Sequence, residues 1–466
     1  MSSPDTGNLP APPSAPEPAP ARSIAGALRE LLPPQATHNI GWLAVDKIGR
    51  MGVLLLVSVW TARQLGPTDY GALNYALVFG GVFNVLAGLG LDSIVVRELV
   101  RRPERTDEIL GTSAALKLAG AAGSLALAIG CVTLVRAGDG AMRLMVAIVV
   151  IGSFFQALDP VDYWFQSRLE SRYSVWGRGG AFTAISAFKI GLLVAHAPLL
   201  AFAVAALLEI VIGAAGLALA FAAAGRSLRR WRFNGAIARQ MAIDAWPLAL
   251  SQLAVMLYMR SGAIILRELH GEASLGVYSA ATRLVEAWYF VPMSVVPTVF
   301  PAIIRAKLED EPAFLRGLQR LFDLMAIFGY AVAIPATLLA KPIVRLLYGE
   351  TYSGSAAVLA IYAWCVLFTA LGVARSPYLM AMNWTRHYLA TTLVGGLVNL
   401  ALNALLIPTW GRLGAAVAAL VASATAAVGA CLLWPRLWPV GAMLLRSLLA
   451  PIRWAGGLLV RGGGAP

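Results

Sequence analysis

Apolar segments about twenty residues long recur along this chain, and each is long enough to cross a bilayer as a helix. Only 13% of the 466 residues are charged, whereas a soluble domain carries about 25%. The pattern predicts an all-α polytopic membrane protein with about twelve transmembrane helices. We place these helices at residues 40–64, 71–96, 110–135, 141–162, 173–196, 199–224, 241–266, 275–300, 317–339, 355–382, 388–407 and 413–434.

The turn after the first segment and a turn near the middle of the chain have similar sequences. Residues 63–73 read RQLGPTDYGAL and residues 267–278 read RELHGEASLGVY, and each turn lies between two apolar segments. The matching positions are Arg63 with Arg267, Leu65 with Leu269, Gly66 with Gly271, and Gly71 with Gly276. Such a repeat indicates two similar halves. We therefore predict two parallel six-helix lobes around a central cavity.

Arginine and lysine concentrate in alternate loops, such as residues 97–105 and 225–240, whereas the loops between them carry few basic residues. By the positive-inside rule, the basic loops and both chain termini are predicted to be cytoplasmic. Topology thus accounts for the net charge of +13. No nucleic-acid partner is predicted, because the sequence lacks a basic domain with interleaved aromatic residues.

These patterns divide the chain into five regions. Residues 1–39 are rich in proline and alanine and are predicted to form a disordered cytoplasmic tail. The six-helix lobes are predicted at residues 40–224 and 241–435, with residues 225–240 as a basic cytoplasmic linker between them. Residues 436–466 mix apolar and basic side chains, which predicts an amphipathic helix on the anionic cytoplasmic surface.

Charged residues inside the predicted spans are the candidates for a functional site, because each costs about 2.5–3.5 kcal/mol at mid-bilayer depth. Arginine suits a phosphate group, since its planar guanidinium stays charged and donates two parallel hydrogen bonds. We predict a shared aqueous cavity that attracts an anionic substrate. Its candidate residues are Asp46, Lys47, Arg50, Arg260, Arg283 and Glu286. The three cysteines are far apart and show no metal-ligand spacing, so no metal site is predicted.

Structural roles for these charges stay open. Arg283 and Glu286 are three residues apart on one helix face and could form an ion pair that only fixes helix register. Asp46 could likewise pair with Lys47 or Arg50 on the first helix, and Arg260 could instead extend its side chain to the outer interface. Lys189 and Glu209 lie at similar depth on consecutive helices, and we predict a structural ion pair there. Arg375 is expected to extend its side chain to the cytoplasmic interface.

Short motifs follow one another in a fixed order in both halves of the chain. They are LGPTDYG at 65–71, GLGL at 88–91, Arg97 with Glu98, LGVYSAA at 275–281, Arg283 with Glu286, and LYG at 347–349 with Tyr352. In this order they resemble the Wzx-type polysaccharide flippases of the multidrug/oligosaccharidyl-lipid/polysaccharide exporter superfamily. The resemblance implies a two-lobed transporter in the bacterial inner membrane. Its substrate would be an oligosaccharide on an undecaprenyl pyrophosphate carrier, moved to the periplasmic leaflet by alternating access.

The resemblance also implies partners and site residues. Lipid-linked oligosaccharide and membrane lipids are the expected ligands, and the polysaccharide polymerase and other export components are candidate protein partners. Related lipid II flippases carry cationic residues on the first and eighth helices, where Arg50 and Arg283 fall. No cofactor is implied, and coupling to Na⁺ or H⁺ through Asp46 or Glu286 is left open.

Two other function classes remain as alternatives. A small-cation drug antiporter of the same superfamily favours an acidic cavity, whereas cations outnumber carboxylates among the candidates within the spans. A membrane-embedded polysaccharide polymerase or ligase needs a sizeable outer loop that carries acid and base groups. The predicted outer loops are nearly all too short for that purpose, so the protein is predicted not to be an enzyme.

Overall fold

The computed structural model describes residues 34–135, 138–168, 172–309, 311–382 and 384–453. Every regular element in these ranges is helical, and short 3₁₀ turns join several of the α-helices. The helices are α1 (Pro34–Gly88), α2 (Asp92–Arg101), α3 (Thr106–Val135), α4 (Gly140–Phe155), α5 (Asp159–Ser167), α6 (Arg172–Val194), α7 (Leu199–Ala223), α8 (Gly235–Glu286), α9 (Phe290–Glu309), α10 (Glu311–Leu338), α11 (Ala340–Tyr348), α12 (Ser355–Tyr362), α13 (Cys365–Ala381), α14 (Thr385–Ala427) and α15 (Trp438–Leu448).

Three of these helices, α1, α8 and α14, are long enough to cross a bilayer twice, and each breaks at a glycine. The φ angles are 73° at Gly66, 78° at Gly271 and 53° at Gly411. Glycine adopts such positive values without the steric cost that a Cβ atom brings. By length and hydropathy the described chain has seven candidate spans, or eight if the bent α8 and α9 count as one more. Three of these eight candidates contain one of the glycine breaks and count as two crossings each, and the shorter apolar helix α6 adds one more. The total matches the twelve predicted crossings, so the all-α polytopic fold is confirmed.

Buried apolar side chains form three clusters. One, which includes Trp164, packs helices of the first lobe (α1–α7) against the start of α8. Another, which includes Phe322 and Leu371, packs helices of the second lobe (α8–α14) against α15. The third cluster draws on both lobes and includes Tyr70 and Tyr278. It lies near the Gly66, Gly271 and Gly411 turns, which we call the hinge end of the molecule. The lobes are therefore joined most firmly at that end.

The two repeated turns pack face to face at the hinge end. A Cβ atom on Gly71 would overlap the carbonyl oxygen of Glu272, and a Cβ atom on Gly276 would overlap that of Pro67. These contacts are symmetric, because each glycine meets the backbone of the other turn. Close packing of the two backbones thus explains why the repeat keeps a glycine at both positions.

Replacing Gly71 with alanine should destabilise this crossing, because the new methyl group meets backbone that cannot move aside. We expect a loss of about 3 kcal/mol or more, at the upper end of overpacking effects. The thermal unfolding temperature of the purified protein in detergent measures the loss. Gly123→Ala in α3 is the matched control, since nothing lies within 4 Å of its Cβ position. An equal unfolding temperature for the two variants would contradict the close crossing.

Helix α8 runs from one lobe to the other. Its first part packs on the first lobe, where Ala249 lies against Gly90 and Asp244 pairs with Arg97. The helix axis then bends by 47° between Leu257 and Met259. This first part lies at the opposite end of the molecule from the glycine turns, which we call the basic end because the arginine-rich loops are there. The bend carries the rest of α8 into the second lobe.

The predicted C-terminal amphipathic helix corresponds in part to α15, which packs on α10. Val440 and Leu444 are buried against the second lobe, while Leu445 remains exposed. The Gln319 side chain in α10 donates a 3.2 Å hydrogen bond to the carbonyl oxygen of Met443. The helix is therefore a packed part of the second lobe with one exposed apolar face.

Candidate functional site

Two adjoining cavities meet below the hinge end where the lobes face each other, one lined mostly by the second lobe and the other mostly by the first. Cavity A, of about 100 Å³, is lined by Arg260 and Glu286 among others. Cavity B, of about 110 Å³, is lined by Lys189 and Glu209 from the first lobe. Arg283 lines both cavities. This arginine therefore stands at their junction, where it faces groups from both halves of the molecule.

The fold of α8 explains why Arg260 and Arg283 meet in one cavity. Arg260 follows the bend on the way to the hinge end, and Arg283 lies on the return segment after the break at Gly271. Glu286 is one turn further along the same segment. Among the described residues, none of these three side chains forms a salt bridge. The alternative in which Arg283 and Glu286 pair to fix helix register is therefore not what the structure shows.

The remaining candidates lie on the first helix. Asp46, Lys47 and Arg50 belong to α1, but their side chains are outside the described part of the structure. Their position in a shared cavity therefore stays a prediction. The described half of the first span contributes Ser58 and Thr61 to cavity B.

Lys189 and Glu209 form the predicted ion pair, with 2.8 Å between Nζ and Oε2. Sequence reasoning assigned them a structural role and missed that both line cavity B. Their side chains are 22% and 40% exposed. A charged side chain inside a span costs free energy if it faces lipid, so it usually faces a water-filled cavity. That rule alone could have placed Lys189 and Glu209 at a cavity.

A buried ion network closes the hinge end across the two lobes. The Arg267 side chain is fully buried, with Glu272 at 2.7 Å, Glu268 at 3.1 Å and Asp139 of the first lobe at 3.7 Å. Its guanidinium lies 4.3 Å from the ring centre of Tyr75, also from the first lobe. The Tyr75 hydroxyl donates to Glu268 at 2.9 Å. One arginine therefore holds three carboxylates and a ring from both lobes together.

A tyrosine adds a second tie at the hinge end. The Tyr352 hydroxyl donates a 2.7 Å hydrogen bond to the carbonyl oxygen of Ala62, which lies on α1 in the other lobe. Burial raises the pKa of Tyr352, so its proton stays available for this bond. The motif that ends at Tyr352 thus has a structural role in joining the lobes.

Two other charges within the spans are structural. Lys117 is 2% exposed and lies 3.2 Å from Asp159 and 2.8 Å from the Tyr163 hydroxyl. Arg375 is 3% exposed and donates to two carbonyl groups at the end of α14, at 2.8 and 2.9 Å. The prediction that Arg375 reaches the interface is wrong. Its guanidinium instead satisfies carbonyl groups that the end of the helix leaves without partners.

Comparison with known families decides the class of this protein. Residues 36–307 match the family described as "Polysaccharide biosynthesis protein", and the match covers more than half of the chain. The chain belongs to this family. The predicted resemblance to polysaccharide exporters is therefore confirmed.

A curated relative of this family member is also named as a transport protein. The chain is 23% identical to the succinoglycan biosynthesis transport protein ExoT of Rhizobium meliloti (strain 1021) over 334 residues. That alignment covers 71% of this chain and 64% of ExoT, so the chain spans less than two thirds of its relative.

Solved structures share the fold. The lipid II flippase MurJ in an inward closed conformation has a TM-score of 0.72 at 14% identity, over 91% of this chain and 93% of MurJ. An inward-facing multidrug resistance MATE transporter has a TM-score of 0.67 at 16% identity, over 89% of this chain and 96% of that one. The relatives and fold neighbours are transporters or flippases. This member of the polysaccharide biosynthesis family is therefore a multi-pass membrane protein with the fold of these transporters, and the prediction that it is not an enzyme agrees with them.

Proposed function

We propose that the protein is a flippase for undecaprenyl-pyrophosphate-linked oligosaccharide repeat units in the bacterial inner membrane. The units would move from the cytoplasmic to the periplasmic leaflet during synthesis of O-antigen, capsule or exopolysaccharide. The observation that carries this proposal is cavity A, at the face of the second lobe that meets the first, where Arg260 and Arg283 have no carboxylate partner among the described residues. Arginine donors there replace the water that a diphosphate loses when it leaves the aqueous phase.

The proposed mechanism is alternating access. The positive-inside rule assigns the basic end to the cytoplasm and the hinge end to the periplasm, with both termini cytoplasmic. The conformation described here is closed at the hinge end by Arg267 and by the glycine crossing. A sugar diphosphate is larger than either cavity, so the lobes must separate to admit it. The polyprenyl chain would stay in lipid while the headgroup passes between the lobes.

The charge of the cavity disfavours the small-cation antiporter. Arg260 and Arg283 outnumber Glu286 among the described charges of cavity A, and a cationic wall repels a cationic drug. Transport coupled to Na⁺ or H⁺ remains a proposal, in which Asp46 or Glu286 would bind the ion. Glu286 lines cavity A. The polysaccharide polymerase remains a proposed partner.

Deletion of the gene in its native host tests the proposed function. We expect loss of the surface polysaccharide together with accumulation of lipid-linked repeat units, because synthesis of the units continues without export. Expression of the unaltered chain should restore the polysaccharide. If single units still reach the periplasm and only their polymerisation stops, the polymerase alternative is correct and the flippase proposal is wrong.

A further inference from the structure

The ion pair of Lys189 on α6 and Glu209 on α7 differs from the other ion pairs within the spans. The charges of Lys117 and Arg267 are 2% and 0% exposed, and each has several partners. Lys189 is 22% exposed and, among the described residues, pairs with Glu209 alone. Its ammonium group therefore has hydrogen-bonding capacity left over, and that capacity faces cavity B.

Cavity B also contains Arg283, which comes from the other lobe and has no carboxylate partner among the described side chains. An anion bound to this arginine would lie in the same small cavity as the Lys189 ammonium. A partly exposed lysine and carboxylate attract each other weakly, because water screens the pair. Hydrogen bonds from a lysine to carboxylate oxygens and to phosphate oxygens are of the same charge-assisted kind. A diphosphate that is also held by Arg283 can therefore compete with Glu209 for Lys189.

We propose that Lys189 is a second phosphate-binding residue, supplied by the first lobe, and that Glu209 is its counter-ion when the cavity is empty. The inference rests on the proposed function, because it assumes a diphosphate substrate. A diphosphate has one phosphate group for Arg283 and one for Lys189. Binding then bridges the two lobes, and Glu209, left without its partner, repels the bound anion and favours its release.

Binding of farnesyl diphosphate, a short polyprenyl diphosphate, tests this assignment. The dissociation constant is measured by calorimetry on the purified full chain in detergent. Lys189→Gln should weaken binding about tenfold, because a charged hydrogen-bond donor is lost. Glu209→Gln should strengthen binding by a similar factor, because Lys189 no longer has a competing partner. Lys189→Arg, which keeps the charge, should bind nearly as well as the unaltered chain.

Opposite effects of the two glutamine variants separate a binding role from a structural one. Each variant leaves one member of the ion pair without its partner, so a purely structural pair predicts similar losses of unfolding temperature and no opposite effects on binding. That result would overturn the proposal. Lys341→Gln, at an exposed lysine outside both cavities, is the matched control and should change nothing.

The same experiment separates this inference from the proposed function. If Arg283→Gln weakens binding of farnesyl diphosphate and neither Lys189→Gln nor Glu209→Gln changes it, the role of Lys189 is wrong and the flippase proposal stands. If the unaltered chain does not bind the diphosphate at all, both are wrong.

Discussion

Replacing Arg283 with glutamine should reduce restoration of surface polysaccharide in the deletion host by about tenfold or more. The side chain stands where the two cavities join and, among the described residues, has no carboxylate partner. Its removal should therefore cost little stability and leave the substrate phosphate without its main donor. The amount of surface polysaccharide, normalised to the amount of protein in the membrane, measures the effect.

Two further variants define what Arg283 contributes. Arg283→Lys keeps the charge and loses the planar guanidinium, so partial activity would show that bidentate geometry matters as well as charge. Arg345→Gln is the control, because that arginine is 76% exposed on α11 and lies outside both cavities. Full activity of Arg283→Gln at a normal protein level would contradict a role for the cavity in binding the substrate.

Replacing Arg267 with glutamine should open the hinge end. The substitution leaves Asp139, Glu268 and Glu272 close together without their shared cation, and breaking a buried pair in this way typically costs about 3–5 kcal/mol. Because one of the three carboxylates belongs to the first lobe, their repulsion pushes the lobes apart. We expect the cavities to become accessible from the periplasmic side.

Labelling of a cysteine in cavity A measures this opening. Ser279→Cys, in a chain whose three native cysteines are replaced by alanine, places a thiol on the cavity wall. A membrane-impermeant thiol reagent added outside the cell should label it about tenfold faster or more when Arg267→Gln is present. Arg63→Gln is the matched control, because Arg63 occupies the equivalent position of the repeat and is exposed. Equal labelling with and without Arg267→Gln would contradict the gate.

The sequence predicts the parts of this fold that depend on local pattern. Apolar length predicts the spans, and the repeated turn sequence predicts two similar halves. Arg283 can be predicted as a site residue because a charged side chain inside a span is costly and therefore usually functional. These inferences require no knowledge of which distant residues meet.

The residues that sequence reasoning missed depend on distant contacts. In the sequence Arg267 is an arginine of a predicted loop, and only the fold brings Asp139 and Tyr75 of the other lobe to it. The position of Lys189 beside Arg283 appears only when α8 places that arginine in the same cavity. Arg375 was misjudged because two of its partners are backbone carbonyl groups at the end of α14 and the others, Thr391 and Cys431, are brought to it only by the fold.

The most direct measurement is the fraction of lipid-linked repeat units that a membrane-impermeant glycosidase can digest in spheroplasts of the native host. With the unaltered protein, we expect the units to be digested from the periplasmic face. After depletion of the protein, or with Arg283→Gln in its place, the units should accumulate and resist digestion until the membrane is made permeable. Units that remain fully digestible after depletion would show that another route carries them across, and would contradict a flippase that works through the cationic cavity.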